Sequence, residues 1–188
     1  MAALSVSGVF ASRKRDGSVH LRRKGTVLFG WLTMLLLSPV LILAGLAEVE
    51  EKGFHGIGVL LVIGCLDAMV TRVGIRCRVI LDPGGTVRDV SPLLVTSIPI
   101  REIHSVACVH NGLMIELPSG GRGVWSFAPS LIGGRSARAA RKVIAGWLAE
   151  TREALPAEGA GEGGARRVYV TLPDVFFLLG PFVAPLLV

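Results

Sequence analysis

The hydrophobic residues of this chain follow two different patterns, which change over near residue 75. Residues 27–47 carry no charged side chain over 21 positions, and a helix of that length is about 30 Å long, the thickness of a bilayer's hydrocarbon core. A weaker apolar run covers residues 54–73 and contains Asp67. The pattern predicts a transmembrane helical hairpin over residues 26–74, with residues 48–53 as a short acidic turn.

Two other interpretations of residues 27–47 compete with this one. The core helix of a soluble protein can be apolar, although it is rarely uncharged over such a length. A signal peptide is the second alternative, because "GLA" before Glu48 resembles a small-residue cleavage site. The apolar part of a signal peptide is only about 7–15 residues long, however, and here a second apolar run follows at once. A membrane hairpin is therefore the favoured interpretation.

Basic residues flank both ends of the predicted hairpin, whereas the connecting turn has a single base, Lys52. Loops rich in Lys and Arg stay on the cytoplasmic side of a membrane. We therefore expect a multi-pass protein of the plasma membrane with residues 1–25 as a basic cytosolic segment and everything after the hairpin also in the cytosol. The residues that determine this topology are Arg22, Arg23, Lys24, Arg72, Arg76 and Arg78.

Asp67 is the one acidic residue inside the second apolar run, in its cytoplasmic half. Thr71, one helical turn away, and the Trp31 indole of the first helix are candidate hydrogen-bond partners. Asp67 could be a proton or ion site, or a polar contact facing another helix or protomer. A conducting path needs several polar groups, and the first helix offers only Thr33 and Ser38. The pattern therefore favours the structural contact.

From residue 75 onward the apolar positions alternate, as in "IRCRVILD", and turn signals such as "DPGG" and "HNG" separate short runs. The last of these runs is "GVWSF". Residues 136–155 then show helical spacing with Ser136 as the N-cap and arginines on one face. The sequence predicts an α+β membrane protein. Its transmembrane hairpin is followed by a small antiparallel β-barrel or sandwich over residues 75–155, capped by one C-terminal helix.

Two segments follow that helix. Residues 156–167 are rich in Gly, Ala and Glu and predict a flexible linker. Residues 168–188 are mostly apolar and long enough to span a bilayer, but Asp174 and three prolines interrupt them. A third span and an interfacial segment are both compatible with this tail.

The composition supports a membrane protein and offers no chemistry for an enzyme. The chain has 188 residues, of which 51% are hydrophobic and 18% charged, against about 25% charged in soluble domains. The net charge of +6 is not accompanied by interleaved aromatic residues that would form a nucleic-acid platform. Three scattered cysteines and four distant histidines form no disulfide framework and no metal site. We expect a non-catalytic protein without metal or cofactor, which does not bind nucleic acid.

Three segments carry a resemblance to bacterial membrane proteins with a PH-like (pleckstrin-homology-like) domain: "IPIREIHSV" (98–106), "GLMIELPSGGRGVWSFAPS" (112–130) and "SARAARKVIAGWL" (136–148). The resemblance implies a PH-like barrel presented at the inner face of the membrane as a protein-interaction or scaffolding module. Its partner would be another protein or a second copy of the chain. PH domains bind phosphoinositides through bases in their first hairpin loop. The loop "DPGGT" has none, so no specific phosphoinositide binding is expected. The alternative function is a small transporter or channel-type subunit that uses Asp67.

Overall fold

The computed structural model describes residues 3–6, 8–129, 134–154 and 166–168. It divides into two compact units: the first comprises residues 1–25 and 77–168, and the second contains residues 26–76. The predicted tail after residue 168 lies outside the described residues, as does most of the predicted linker. Two antiparallel sheets and one amphipathic helix form the first unit, and two long apolar helices form the second.

Residues 1–25 are not a separate basic segment, which corrects the prediction. They contain strands β1 (Ala3–Val6), β2 (Val9–Arg13) and β3 (Val19–Arg23), and β3 pairs with the first strand after the apolar helices. The prediction missed them because the six arginines and lysines of residues 1–25 were interpreted as a charged flank of the first apolar helix. The residues Val9 and Ala11 of β2, and Val19 and Leu21 of β3, nevertheless lie at every second position, as in a strand with one buried face. Val9, Ala11 and Leu21 are buried in the core.

The first unit's larger sheet has seven strands in the order β1-β2-β3-β4-β5-β6-β10, and β7, β8 and β9 form a second sheet. The first unit therefore extends beyond the predicted range 75–155 at both ends. Arg166 and Arg167, predicted as linker, belong to the edge strand that pairs with β6. The strands after the apolar helices are β4 (Arg78–Asp82), β5 (Thr86–Val90), β6 (Leu94–Pro99), β7 (Ser105–Val109), β8 (Gly112–Leu117), β9 (Gly120–Gly123) and β10 (Arg166–Val168).

Two details of this region differ from the sequence prediction. The segment "GVWSF" is not a strand: β9 ends at Gly123 and Trp125–Phe127 is a 3-10 turn that buries Phe127. The loop "DPGGT" joins β4 to β5 and is not the first hairpin loop of the unit, because β1–β3 precede it. The expectation of no specific phosphoinositide binding, which rested on that loop, stays a prediction.

The predicted amphipathic helix is present as α4 (Arg135–Ala154) and packs on β2, β7 and β8. Ala137, Ala140, Ile144 and Leu148 are buried at helical spacing in the core that both sheets share. Arg141, predicted to lie in the solvated face, donates from Nε to the Val106 carbonyl at 3.1 Å. This helix therefore satisfies the Val106 carbonyl of β7 as well as covering the core.

The described residues of the second unit form a pair of apolar helices. The first runs from Lys24 to Lys52, as α1 (Lys24–Leu32), a π-helical turn (Thr33–Leu37) and α2 (Ser38–Lys52). A 3-10 turn (Gly53–His55) leads into the second, which is α3 (Gly56–Thr71) followed by a π-helical turn (Arg72–Arg76). Both helices are long and apolar enough to cross a membrane. The predicted hairpin of apolar helices is confirmed in this coarse sense.

The turn of this hairpin is shorter and later than predicted. The acidic residues 48–51 continue the first helix, and a Glu48–Lys52 ion pair at 2.8 Å links adjacent helical turns. Gly53 then ends the helix with a φ of +60°, a conformation that glycine adopts without steric cost. Pro39, which lacks an amide hydrogen, follows the π-helical turn. There the Ser38 amide bonds the Thr33 carbonyl, so the helix continues through the proline.

Candidate functional site

Small residues line the seam between the two apolar helices. Gly30 of the first helix lies directly against Gly74 at the end of the second. A Cβ built on Gly30 would come within 2.8 Å of the Gly74 Cα. One built on Gly45 would come within 2.8 Å of the Leu60 Cδ1. Helices in lipid have no hydrophobic driving force between them, and they associate by such close approach of their backbones.

The central contact of this seam is polar. The Ser38 hydroxyl forms a hydrogen bond with the Oδ1 atom of Asp67 and also lies 3.2 Å from the Thr33 carbonyl oxygen. Both Thr33 and Ser38 are buried. Asp67 therefore faces the neighbouring helix, as the structural interpretation of this residue expects.

The number of hydrogen bonds at this contact is limited by the number of hydrogens that its side chains can donate. A serine hydroxyl carries one hydrogen, so at any moment Ser38 donates either to Asp67 or to the Thr33 carbonyl. A continuous chain, in which Asp67 donates to Ser38 and Ser38 donates to Thr33, requires a proton on Asp67.

The structure identifies Ser38 as the partner of Asp67, where the sequence suggested Thr71 and Trp31. Trp31 is 48% exposed and lies about two helical turns before Ser38. The side chain of Thr71 lies outside the described part of the chain. Sequence reasoning missed Ser38 because it placed the turn at residues 48–53. Because the connecting turn lies later in the chain, the residues that face each other between the two helices are shifted by about one helical turn.

The six predicted topology determinants all lie where the chain enters and leaves the apolar helices. Arg22 and Arg23 end β3 and Lys24 begins α1; Arg72 and Arg76 bound the final π-helical turn, and Arg78 begins β4. In chain order these cations therefore precede and follow the helical hairpin, while the turn end of the hairpin carries the Glu48–Lys52 pair.

A second polar cluster joins the two sheets of the first unit, and sequence reasoning did not single it out. The Asp89 carboxylate of β5 accepts the Trp125 amide at 3.0 Å and the Ser126 hydroxyl at 3.3 Å. Arg122 of β9 donates to the Thr96 hydroxyl of β6 at 3.2 Å. Burial raises the pKa of Asp89, and the bonds from Trp125 and Ser126 and the charge of Arg122 act in the opposite direction.

These bonds hold the 3-10 turn after β9 against β5, while the Trp125 side chain remains 54% exposed. The only signal in the sequence was an acid within the strand pattern "TVRDV". Its alternation places Asp89 on the same face as the buried Val87. The cluster links β5 to the turn that follows β9.

Among the described residues, no group of three or more His, Cys, Asp or Glu side chains could hold a metal ion. Comparison with protein-family models, with curated proteins and with solved structures found no match for this chain.

Proposed function

We propose that this protein is a membrane-anchored interaction module, whose α/β unit is held at the cytosolic face of the cell membrane by the helical hairpin. The observation that carries the proposal is the place of the hairpin in the chain. It is inserted between β3 and β4, which are neighbouring antiparallel strands of one sheet. Both ends of the hairpin are thus fixed to the same folded unit.

This insertion agrees with the charge distribution. Because one sheet takes up both ends of the hairpin, both ends have to lie on the same side of a bilayer, which requires an even number of crossings between β3 and β4. The bases at these two ends favour the cytoplasmic side. Two independent arguments, one from connectivity and one from charge, therefore support the same topology.

The exposure of the helices supports a membrane environment over the two alternatives. Only 17% and 18% of the residues in their apolar windows are buried, whereas the core helix of a soluble protein is mostly buried. Cleavage as a signal peptide would remove β1–β3 from the sheet in which they are paired with β4. A lipid-embedded hairpin leaves the apolar side chains in a favourable solvent and keeps the sheet complete.

The proposed role of the α/β unit is binding rather than catalysis. A PH-like architecture remains the proposal for this unit, and its partner would be a protein or a second copy of the chain. The edge strand β9 is mostly exposed and consists of Gly120–Gly123 with a single long side chain. Such an edge can accept an added strand through backbone hydrogen bonds.

Cysteine labelling tests the anchoring directly. In a full-length variant with Cys65, Cys77 and Cys108 replaced by serine or alanine, a single cysteine is introduced as Lys52→Cys or Arg138→Cys. A membrane-impermeant maleimide should label Lys52→Cys in intact cells and Arg138→Cys only after lysis. Labelling of Arg138→Cys in intact cells, or release of the chain from membranes by alkaline carbonate, would contradict the proposal.

The Ser38–Asp67 contact favours a second candidate, a small transporter or channel-type subunit. A carboxyl and a hydroxyl bonded to each other in an apolar seam are the groups that a proton relay uses. The full chain reconstituted in liposomes would then conduct protons or a cation, and Asp67→Asn would abolish the flux while leaving the protein in the membrane. Absence of flux in the unsubstituted protein would reject this candidate.

A further inference from the structure

One face of the large sheet combines an exposed aromatic residue with several cations. Strand alternation places Val9, Leu21 and Val79 in the core, so Phe10, Arg22 and Arg78 project from the opposite face. Phe10 and Arg22 are direct cross-strand partners. The Phe10 ring is 48% exposed although it lies within a strand.

The charges of this face converge on His20, which lies on the same face of β3 as Arg22. Burial lowers the pKa of His20, and Arg78, Lys14 and Arg22 lower it further, whereas Asp16 acts in the opposite direction. Three cations close enough to disfavour a fourth charge on the imidazole indicate a locally positive surface.

Lys24 completes the surface at the point where the sheet leads into the first apolar helix. Its Nζ atom lies 5.2 Å from the centroid of the Phe10 ring, within the range of a cation–π contact. Lys24 is also the first residue of α1. We name these residues the basic sheet face: Phe10, Lys14, His20, Arg22, Lys24 and Arg78.

We propose that the basic sheet face binds anionic phospholipid headgroups of the membrane that the hairpin crosses, with Phe10 at the headgroup boundary. This inference rests on the proposed anchoring. Arg22 lies two residues before the first apolar helix, Lys24 is the first residue of that helix, and Arg78 follows the second helix by two residues. At about 3.3 Å per residue along a strand, the chain holds Arg22 and Arg78 within about 7 Å of the ends of the apolar helices.

The chemistry of the face fits lipid phosphate. Guanidinium groups bind phosphate oxygens in a bidentate manner, and juxtamembrane bases gain affinity from the negative surface potential of the cytoplasmic leaflet. A half-exposed aromatic ring among bases is typical of the membrane interface, where its apolar part leaves water. The site differs from a single phosphoinositide-binding loop because Arg22 and Arg78 lie on two paired strands, β3 and β4.

Lipid selection by the full-length protein tests the proposal. The detergent-purified chain is titrated with phosphatidylglycerol or phosphatidylcholine, and bound lipids are counted by native mass spectrometry. The unsubstituted protein should prefer phosphatidylglycerol, and the preference should weaken as salt is raised. The double variant Arg22→Gln with Lys24→Gln should reduce it about 30-fold at low salt, the effect of two surface bases.

Two matched variants make the outcome specific. Arg138→Gln with Lys142→Gln removes the same charge from exposed positions of α4 and should change the preference by less than about twofold. Arg22→Lys with Lys24→Arg keeps the charge and should retain the preference, which separates loss of charge from loss of folding. An equal loss in the α4 variant, or a loss in the charge-conserving variant, overturns the proposal.

Two further results would also decide the matter. Inorganic phosphate at equal charge concentration should displace little of the lipid, because it has no acyl chains. Full displacement of the lipid by phosphate would overturn the assignment to lipid. Carbonate extraction of membranes measures anchoring separately. A chain that resists extraction but shows no anionic preference overturns this inference and leaves the anchoring intact, whereas release by carbonate overturns the anchoring itself.

Discussion

The Ser38 hydroxyl and the Asp67 carboxyl form a hydrogen bond across the two apolar helices, 29 residues apart in sequence. The contact is flanked along the same seam by Gly30 against Gly74 and by Gly45 against Leu60. The seam therefore consists of close contacts at glycines on both sides of one polar pair. This arrangement fixes both the distance and the register of the two helices.

Gly30 tests how closely the helices have to approach. In Gly30→Ala the new methyl would meet the Gly74 backbone at 2.8 Å, and a backbone cannot move aside as a flexible side chain can. We expect a loss of about 1–3 kcal/mol, the usual cost of overpacking, in thermal unfolding of the detergent-purified chain. Gly64→Ala is the control, because no atom lies within 4 Å of its added Cβ. That variant should be unchanged or stabilised by up to about 1 kcal/mol.

Removing only one partner of the Ser38–Asp67 pair should lower the stability of the helical hairpin. Ser38→Ala leaves the carboxyl without its donor and should destabilise the helical hairpin by about 1–3 kcal/mol. Asp67→Asn should be nearly neutral, because its amide can donate to Ser38 while Ser38 donates to Thr33. The double variant Ser38→Ala with Asp67→Leu should recover much of the loss, since both polar partners are then gone. A loss in the double variant equal to the sum of the losses in Ser38→Ala and in Asp67→Leu would show that the pair does not couple the helices.

Asp89 should hold the 3-10 turn after β9 in place. Asp89→Ala removes the acceptor for the Trp125 amide and the Ser126 hydroxyl, and we expect it to cost about 1–3 kcal/mol. Asp89→Asn keeps one acceptor oxygen and should cost less. Trp125 fluorescence reports the local change, because its indole is exposed on this turn. Unchanged emission and stability in Asp89→Ala would contradict this role.

His20 should make the stability of the first unit depend on pH. Its folded-state pKa is lowered from 6.5, first by burial and then by Arg78, Lys14 and Arg22. The unfolded chain therefore binds more protons in the window between the folded pKa and 6.5. The free energy of unfolding should rise with pH through that window and fall as pH drops below 6.5. Unfolding midpoints measured from pH 5 to 7.5 give this slope, and His20→Gln should reduce it. An identical slope in His20→Gln would assign the effect to other groups.

The sequence predicted the local elements well where one periodicity dominated. The uncharged run 27–47 and the apolar run 54–73 are both helical, and the alternation in "RVILD" and "TVRDV" is that of β4 and β5. In each case the spacing of apolar residues within a single element is enough to indicate its type. The arginines of β2 and β3 hid the same alternation, so the three N-terminal strands were interpreted as a basic segment.

The candidate sites depended on contacts that no local pattern records. The sequence marked Asp67 as unusual, since a carboxyl in an apolar helix is costly, but its partner depends on helix register, which a turn shifted by a few residues changes. The role of Asp89 depends on Trp125 and Ser126, which are 36 and 37 residues away. The packing of the two sheets against each other brings these residues, distant in sequence, into contact.

By itself, the sequence determined that two apolar helices connected by a short turn are followed by short strands and an amphipathic helix, because periodicity and charge are local properties. Only the tertiary structure decided that strands on both sides of the helices belong to one sheet, and that Ser38 faces Asp67. The physical reason is that strand pairing and helix register are set by free energies summed over many distant contacts, of which each residue carries only a small part.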